Sequence, residues 1–266
     1  MQNVAIDSLL IVRNGYIVVD AYYSPYDGSF PHDMASVTKS VTGILVDIDI
    51  DQGKLQLDAP MVSFFPDRTI ANLDERKQSI TVRDLVSMRN GMESQCLEGD
   101  EPTLDAMRSQ SDWVQAALDR KMVSEPGTRF CYDSPGMHIL SAILQKATGM
   151  TELDFARQTL FEPLGITDVI WESDPQGYTH GWGDLHLNPQ DPTAYCSRGI
   201  ARIDKGDVDG AFADFDEALR LNPQHAEAYN NRGLVRKFKG DPDGAIADYY
   251  QALRLNPQDS AVHYNR

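Results

Sequence analysis

The sequence predicts an α+β region followed by an all-α array of helical hairpins. Two observations carry this. Two short β-type runs flank Asn14-Gly15 and are followed by segments with helical apolar spacing, and strands first with helices after is the α+β order. The tetrapeptide Leu-Asn-Pro-Gln occurs at 187–190, 221–224 and 255–258, a spacing of 34 residues each time. That period marks stacked helix–turn–helix units. The domains expected are therefore 1–191 and 192–266.

The elements follow in order. Residues 9–13 and 16–23 are rich in Val, Ile and Tyr around Asn14-Gly15, the strongest short-range hairpin signal. Residues 34–50 read as a helix, because Val37, Val41, Ile44, Leu45 and Ile48 recur at helical spacing and Gly53 follows. Asp47 and Asp49 lie near its C-terminal end, where the helix dipole prefers cations. Thr81 opens a short helix over 82–88, and Asn90-Gly91 closes it. Residues 111–121 and 134–148 are further helices, the second capped by Gly149. Thr151 and Asp154 approach a capping-box pattern leading into 155–160. About seven helices are expected to dominate over one hairpin.

The bulk composition narrows the function classes. Of the net charge of −16, residues 1–191 carry −15 and residues 192–266 carry −1. An acidic chain lacks the basic footprint of a nucleic-acid binder. No apolar run reaches the roughly 18 residues of a membrane span. No basic stretch and apolar core follow Met1, so no secretory signal is read; the compartment is left open, cytoplasmic if Met1 is the true start. Cys96, Cys131 and Cys196 have no metal-type spacing and are expected to be buried thiols rather than a disulfide framework. No metal or cofactor is expected.

Ser36-Val-Thr-Lys39 stands at the start of the first long helix. Positions i and i+3 face the same way, so the hydroxyl and the amine can meet. The helix N-terminus favours a forming alkoxide. A lysine in a dry pocket loses its proton more readily and can act as a base. Alone the pattern is weak, since it arises by chance about once in a chain of this length.

Further motifs, in order, strengthen it. Residues 8–18 (SLLIVRNGYIV), 35–40 (ASVTKS), 82–92 (VRDLVSMRNGM), 125–134 (EPGTRFCYDS), 161–166 (FEPLGI) and 171–191 together resemble the β-lactamase-related serine hydrolases. That group includes class C β-lactamases, penicillin-binding proteins and their esterase relatives. The resemblance covers nearly all of residues 5–191. It implies that Ser36 is acylated, that Lys39 helps to deprotonate it and that Tyr132 shares the proton traffic. It places Ser134 where the family usually has an Asn that binds the substrate amide. A hydroxyl replaces only part of what an amide offers, so ester-like chemistry is less affected than amide binding.

The larger departure is the family's third motif, Lys-Thr-Gly or His-x-Gly on a strand. No Lys-Thr-Gly occurs in these 266 residues, and His180-Gly181 falls in a different segment, with His180 read as a loop residue. That strand normally gives one oxyanion-hole N–H, whose loss costs about 10²–10³ in rate. A domain without its C-terminal strands would also leave the hairpin at 8–23 with an open edge.

Residues 192–225 and 226–259 align throughout. They share Tyr195/Tyr229, Gly199/Gly233, Gly206/Gly240, Ala211/Ala245, Phe215/Tyr249, Ala218/Ala252 and Pro223/Pro257. They resemble tetratricopeptide (TPR) repeats, and a third unit begins at 260–266. Small Gly and Ala let paired helices approach, while the aromatic fills the groove between them. The resemblance implies a protein or peptide partner, with Asn231, Arg198 and Arg202 as candidates on the binding face.

The expected function is a serine hydrolase with a small acyl, ester or β-lactam-like substrate, joined to a TPR module and weak or inactive for want of the third motif. Two alternatives remain open. One is a non-catalytic TPR scaffold. The other is a composite of two gene fragments joined near 187–191, a stretch that fits both families.

Overall fold

The computed structural model describes residues 8–13, 16–24, 26, 31–94, 102–188 and 191–265. The chain divides into two compact units. One comprises Asp33–Leu160 with Ile170–His186, and the other Met1–His32, Phe161–Val169 and Leu187–Arg266. It is a mostly helical α+β chain with small sheets and a C-terminal helical repeat region. Among the described residues no helix is long and apolar enough to cross a membrane.

The hairpin forms as expected. β1 (Ser8–Arg13) pairs antiparallel with β2 (Tyr16–Tyr22) from Ser8↔Tyr22 to Arg13↔Tyr16, with an irregularity between Ile11 and Val12. The Asn14-Gly15 turn lies outside the described residues. A second sheet was not foreseen. Its strands β3 (His32–Asp33), β4 (Val169–Trp171) and β5 (Leu185–Leu187) take the order β3-β5-β4. Strands of two and three residues are too short to show an alternating pattern.

In the first unit the helices are α1 (Thr38–Asp51), α2 (Glu75–Ser79), α3 (Val82–Val86), α4 (Pro102–Arg108), α5 (Trp113–Leu118), α6 (Ser134–Thr148) and α7 (Glu152–Ala156). Their starts are chemically set. Asp74, Thr81, Asp112 and Thr151 each accept a backbone N–H at the first turn, and Thr81 with Asp84 completes a capping box. Gly149 ends α6 in the left-handed conformation, at φ +76°. α6 is the centre of the core: Met137, Ile139, Leu140, Ala142, Ile143 and Leu144 are all buried. Leu45 and Val46 of α1, Val82 and Leu85 of α3, and Val114, Ala117 and Leu118 of α5 are buried on helices that pack against it.

The second unit carries the repeats as α8 (Pro192–Asp204), α9 (Val208–Leu221), α10 (Ala226–Phe238), α11 (Pro242–Leu255) and α12 (Ser260–Asn265). The repeated glycines are required by close packing. A Cβ on Gly199 would stand 2.6 Å from the Phe215 ring, and one on Gly233 2.7 Å from the Tyr249 ring. Segment 161–167 belongs to this unit, and its Thr167 N–H and hydroxyl both donate to Asp191 Oδ2 (2.9 and 3.0 Å). Arg198 and Arg202, expected on an open binding face, are held by the buried Asp214. Asn231 donates to Cys196 Sγ at 3.7 Å.

The cysteines differ from expectation. Cys196 is a free buried thiol, with burial pushing its pKa up to about 12, but Cys131 is disulfide-bonded. Cys96 lies outside the described residues.

Candidate active site

Ser36 lies in a single 3-10 turn, Ala35–Val37, that runs directly into α1. The turn is entered through Ala35 at φ +44°, a left-handed conformation rare for a residue with a Cβ. The Asp33 carboxylate accepts the Ala35 N–H at 2.7 Å, which offsets part of that strain. Ser36 is thereby presented as an exposed residue at the N-terminal end of a helix, where the dipole favours negative charge.

Lys39 follows one turn later and is buried, 8 % exposed. Its Nζ donates to Ser36 Oγ at 3.1 Å and to the Trp182 carbonyl at 2.8 Å. The Tyr132 hydroxyl donates to Ser36 Oγ at 2.6 Å, and Lys39 Nζ sits 4.7 Å from the Tyr132 ring centroid. Two side chains read from the sequence, Lys39 and Tyr132, thus converge on the Ser36 oxygen, although Tyr132 is 96 residues away in the chain. Ser134 behaves differently. It opens α6 fully buried, whereas Ser36 is exposed.

The segment bearing Tyr132 is clamped by groups the sequence did not single out. Asp133 is buried, and its carboxylate takes Arg120 at 2.6 and 3.1 Å and Asn90 Nδ2 at 2.7 Å. Ser94 Oγ donates to the Tyr132 carbonyl at 2.5 Å, and the Cys131 N–H to the Met88 carbonyl at 2.9 Å. Met88 and Asn90 fall in the 82–92 motif and Cys131 and Asp133 in the 125–134 motif, but no clamping role was read for them.

The far wall is the loop 179–184. Its Trp182 carbonyl holds Lys39, and its ring stacks on His180 (5.2 Å, 19°), which stacks in turn on Trp113 (4.9 Å, 22°). His180 is a loop residue as expected, but a buried one. Burial holds its pKa below the ordinary value, against the pull of Asp184, whose carboxylate meets His180 Nδ1 at 2.8 Å. Beside it His138 Nε2 meets Asp174 at 3.0 Å. Burial works against ionisation of Asp174, but the bonds from His138 and the backbone N–H groups of Tyr178 and Gln176 outweigh it and keep its pKa low. Glu172, His180 and Asp184 bring ligand-type atoms within 4.8 Å of one another. A cation there would have to displace the His180–Asp184 hydrogen bond.

The family described as Beta-lactamase matches residues 2–228, and the tetratricopeptide repeat matches residues 226–259. A lovastatin esterase of Penicillium rubens is 26% identical over 189 residues, covering 63% of this chain and 46% of that protein. Penicillin-binding protein 4 of Amycolatopsis lactamdurans is 33% identical over 134 residues, covering 49% of this chain and 33% of that protein. The chain thus spans less than half the length of either relative. Among solved structures, the octameric penicillin-binding protein homologue from Pyrococcus abyssi superposes with a TM-score of 0.54 at 21% identity, over 73% of this chain and 52% of that one. That likeness is one of fold.

Proposed function

Because the chain belongs to the beta-lactamase family, we propose that it forms an acyl-enzyme on Ser36 from small esters or strained lactams. The observation that carries this is the convergence of Lys39 Nζ and the Tyr132 hydroxyl on Ser36 Oγ, at 3.1 and 2.6 Å. In the reaction Ser36 Oγ attacks the substrate carbonyl. Its proton leaves to Lys39 in the neutral form or through the Tyr132 hydroxyl, and the same proton later serves the departing alcohol or amine. The Trp182 carbonyl and the Tyr132 ring keep Lys39 at that post.

Esters are favoured over amides. A substrate amide reaches the buried Ser134 only if the segment 131–134 shifts, and a serine hydroxyl matches only part of an amide's hydrogen bonding. Turnover by these 266 residues is expected to be slow. They carry no Lys-Thr-Gly, so an oxyanion donor of that kind is not supplied, and one such donor is worth about 10²–10³ in rate. The repeats add a protein-binding role, with Phe238, Tyr250 and Tyr264 among the exposed aromatic side chains on them.

Labelling with a fluorescent fluorophosphonate tests the reading. Wild type should label and Ser36→Ala should not; equal labelling of the two contradicts it. The alternative, a scaffold acting through the repeats alone, predicts no turnover of nitrocefin or p-nitrophenyl acetate with partner capture intact.

A further inference from the structure

The proposed chemistry needs Lys39 to stay on Ser36, and the loop that holds Lys39 is itself held from behind. Thr42, one turn along α1 and fully buried, donates its hydroxyl to the Gly181 carbonyl at 2.8 Å. Gly181 directly precedes Trp182, whose carbonyl takes Lys39 Nζ. There is no slack at this point. A Cβ on Gly181 would come within 2.5 Å of the Met137 carbonyl, 3.1 Å of Ser141 Cβ and 3.3 Å of Glu152 Oε2.

Glu152, the first residue of α7, is therefore directly behind the loop, with no exposed surface. The polar groups beside its carboxyl are the hydroxyls of Ser141 and Thr42. Neither carboxyl oxygen has a hydrogen bond of ordinary geometry, and neither does the Ser141 hydroxyl. Burying an ionised carboxylate without partners is costly, so this group must either keep its proton or recruit one.

A threonine hydroxyl has a single proton to give. While Glu152 is protonated, its own O–H can donate to Ser141 or Thr42, and Thr42 stays on the Gly181 carbonyl. Once Glu152 ionises it can only accept. The Thr42 proton is then drawn from Gly181 to the carboxylate, and the loop loses its tether beside Trp182.

We infer that Glu152 is a positioning residue for the chemistry at Ser36: its proton keeps Thr42 on Gly181, and so keeps the Trp182 carbonyl on Lys39. The inference rests on the serine-hydrolase reading above. Burial, opposed by the Ser141 and Thr42 hydroxyls, pushes the Glu152 pKa up to about 7, within the range where the change can be followed. The titratable groups on the elements packed around it are Lys39 and Asp49 on α1, with Asp47 and Asp51 exposed there, His138 on α6, with Lys146 exposed there, His180 and Asp184 in the loop, and Asp154 exposed on α7 itself. Burial raises the pKa of Asp49 against the pull of Lys54 and lowers that of His180.

The test compares wild type with Glu152→Gln, whose amide always has protons to donate. Two quantities are followed from pH 5.5 to 8.5: the rate of fluorophosphonate labelling at Ser36 and the tryptophan emission, to which Trp182 contributes. The two proteins should label at similar rates at pH 6, and wild type should fall to about one tenth of the variant by pH 8. An emission change centred near pH 7 should be present in wild type and absent in Glu152→Gln. Thr42→Val should slow labelling at all pH values and remove the emission change. Superimposable pH profiles of wild type and Glu152→Gln in both readouts would overturn the inference. If no protein labels at any pH while the emission change is still lost in Glu152→Gln, the hydrolase reading falls and the Glu152–loop coupling stands.

Discussion

The two compact units differ in their buried acids: Asp214 and Asp248 of the repeats are paired with arginines, whereas in the unit 33–160 and 170–186 Asp133 and Asp174 have partners but two others do not. In the repeats, Asp214 takes Arg198 and Arg202, and Asp248, 34 residues on, takes Arg232 and Arg236. Each acid sits between helices of one hairpin and meets cations that recur with the same period. In the unit 33–160 and 170–186, Glu152 and Asp49 are fully buried with no hydrogen bond to their carboxyl oxygens. His180 Nε2, His138 Nδ1 and the indole N–H groups of Trp113 and Trp182 are also without partners. Native interiors rarely leave such groups unmet. Of these, Glu152 packs behind Gly181 of the loop whose Trp182 carbonyl holds Lys39, and His180 and Trp182 belong to that loop.

The sharpest way to break this contrast is to remove one acid from each unit. Asp248→Ala should destabilise the chain by about 3 kcal/mol, because it leaves part of the charge on two partly buried arginines uncompensated. Glu152→Leu should do the reverse at pH 8 and stabilise, since an unpaired carboxylate is replaced by apolar packing. Urea unfolding of both variants reads the two signs, and equal signs would dissolve the distinction.

A pH titration of stability sharpens the same point. The Glu152 pKa is raised from 4.5 to about 7 in the folded chain. Its contribution is therefore full below about pH 4.5 and is lost as pH rises through 7, a change of about 3 kcal/mol. Wild type should lose that increment between pH 4.5 and 8 relative to Glu152→Gln. Parallel stability curves for the two would contradict it. The low pKa of Asp174 acts in a separate window, below pH 3.8, where its stabilisation is lost on acidification.

Smaller effects come from packing and surface. Gly233→Ala pushes a methyl to 2.7 Å from the Tyr249 ring and should cost about 1–3 kcal/mol in thermal or urea unfolding. Arg220→Ala removes an exposed pair with Glu217 and should cost under about 1 kcal/mol.

The repeats were legible because one 34-residue pattern recurs with the same small and aromatic residues, and each recurrence serves the same local contact. The starts at Thr81 and Thr151 were legible because each cap acts within three residues of itself, whereas the Asp112 cap was not singled out. Ser36, Lys39 and Tyr132 were legible through motifs resembling a known family. What escaped was long-range or short-lived in the chain. Trp182 reaches Lys39 across 143 residues through a backbone carbonyl, which any residue has. Glu152 reads as an ordinary first-turn acid, and only the packing of Gly181 over it reveals its burial. Arg120 carries no motif, Asp133 stands within the 125–134 motif but with no role read for it, and the sparse, odd cysteine count led to a thiol reading where Cys131 is disulfide-bonded.

The central claim is that Ser36 is the acylated nucleophile, held ready by Lys39 and Tyr132. Peptide mapping by mass spectrometry after incubation with a fluorophosphonate tests it most directly. The account predicts one adduct, on the peptide containing Ser36, with labelling slowed at least tenfold in Lys39→Ala. An unmodified Ser36 peptide, or an adduct that forms as fast without Lys39, would contradict it.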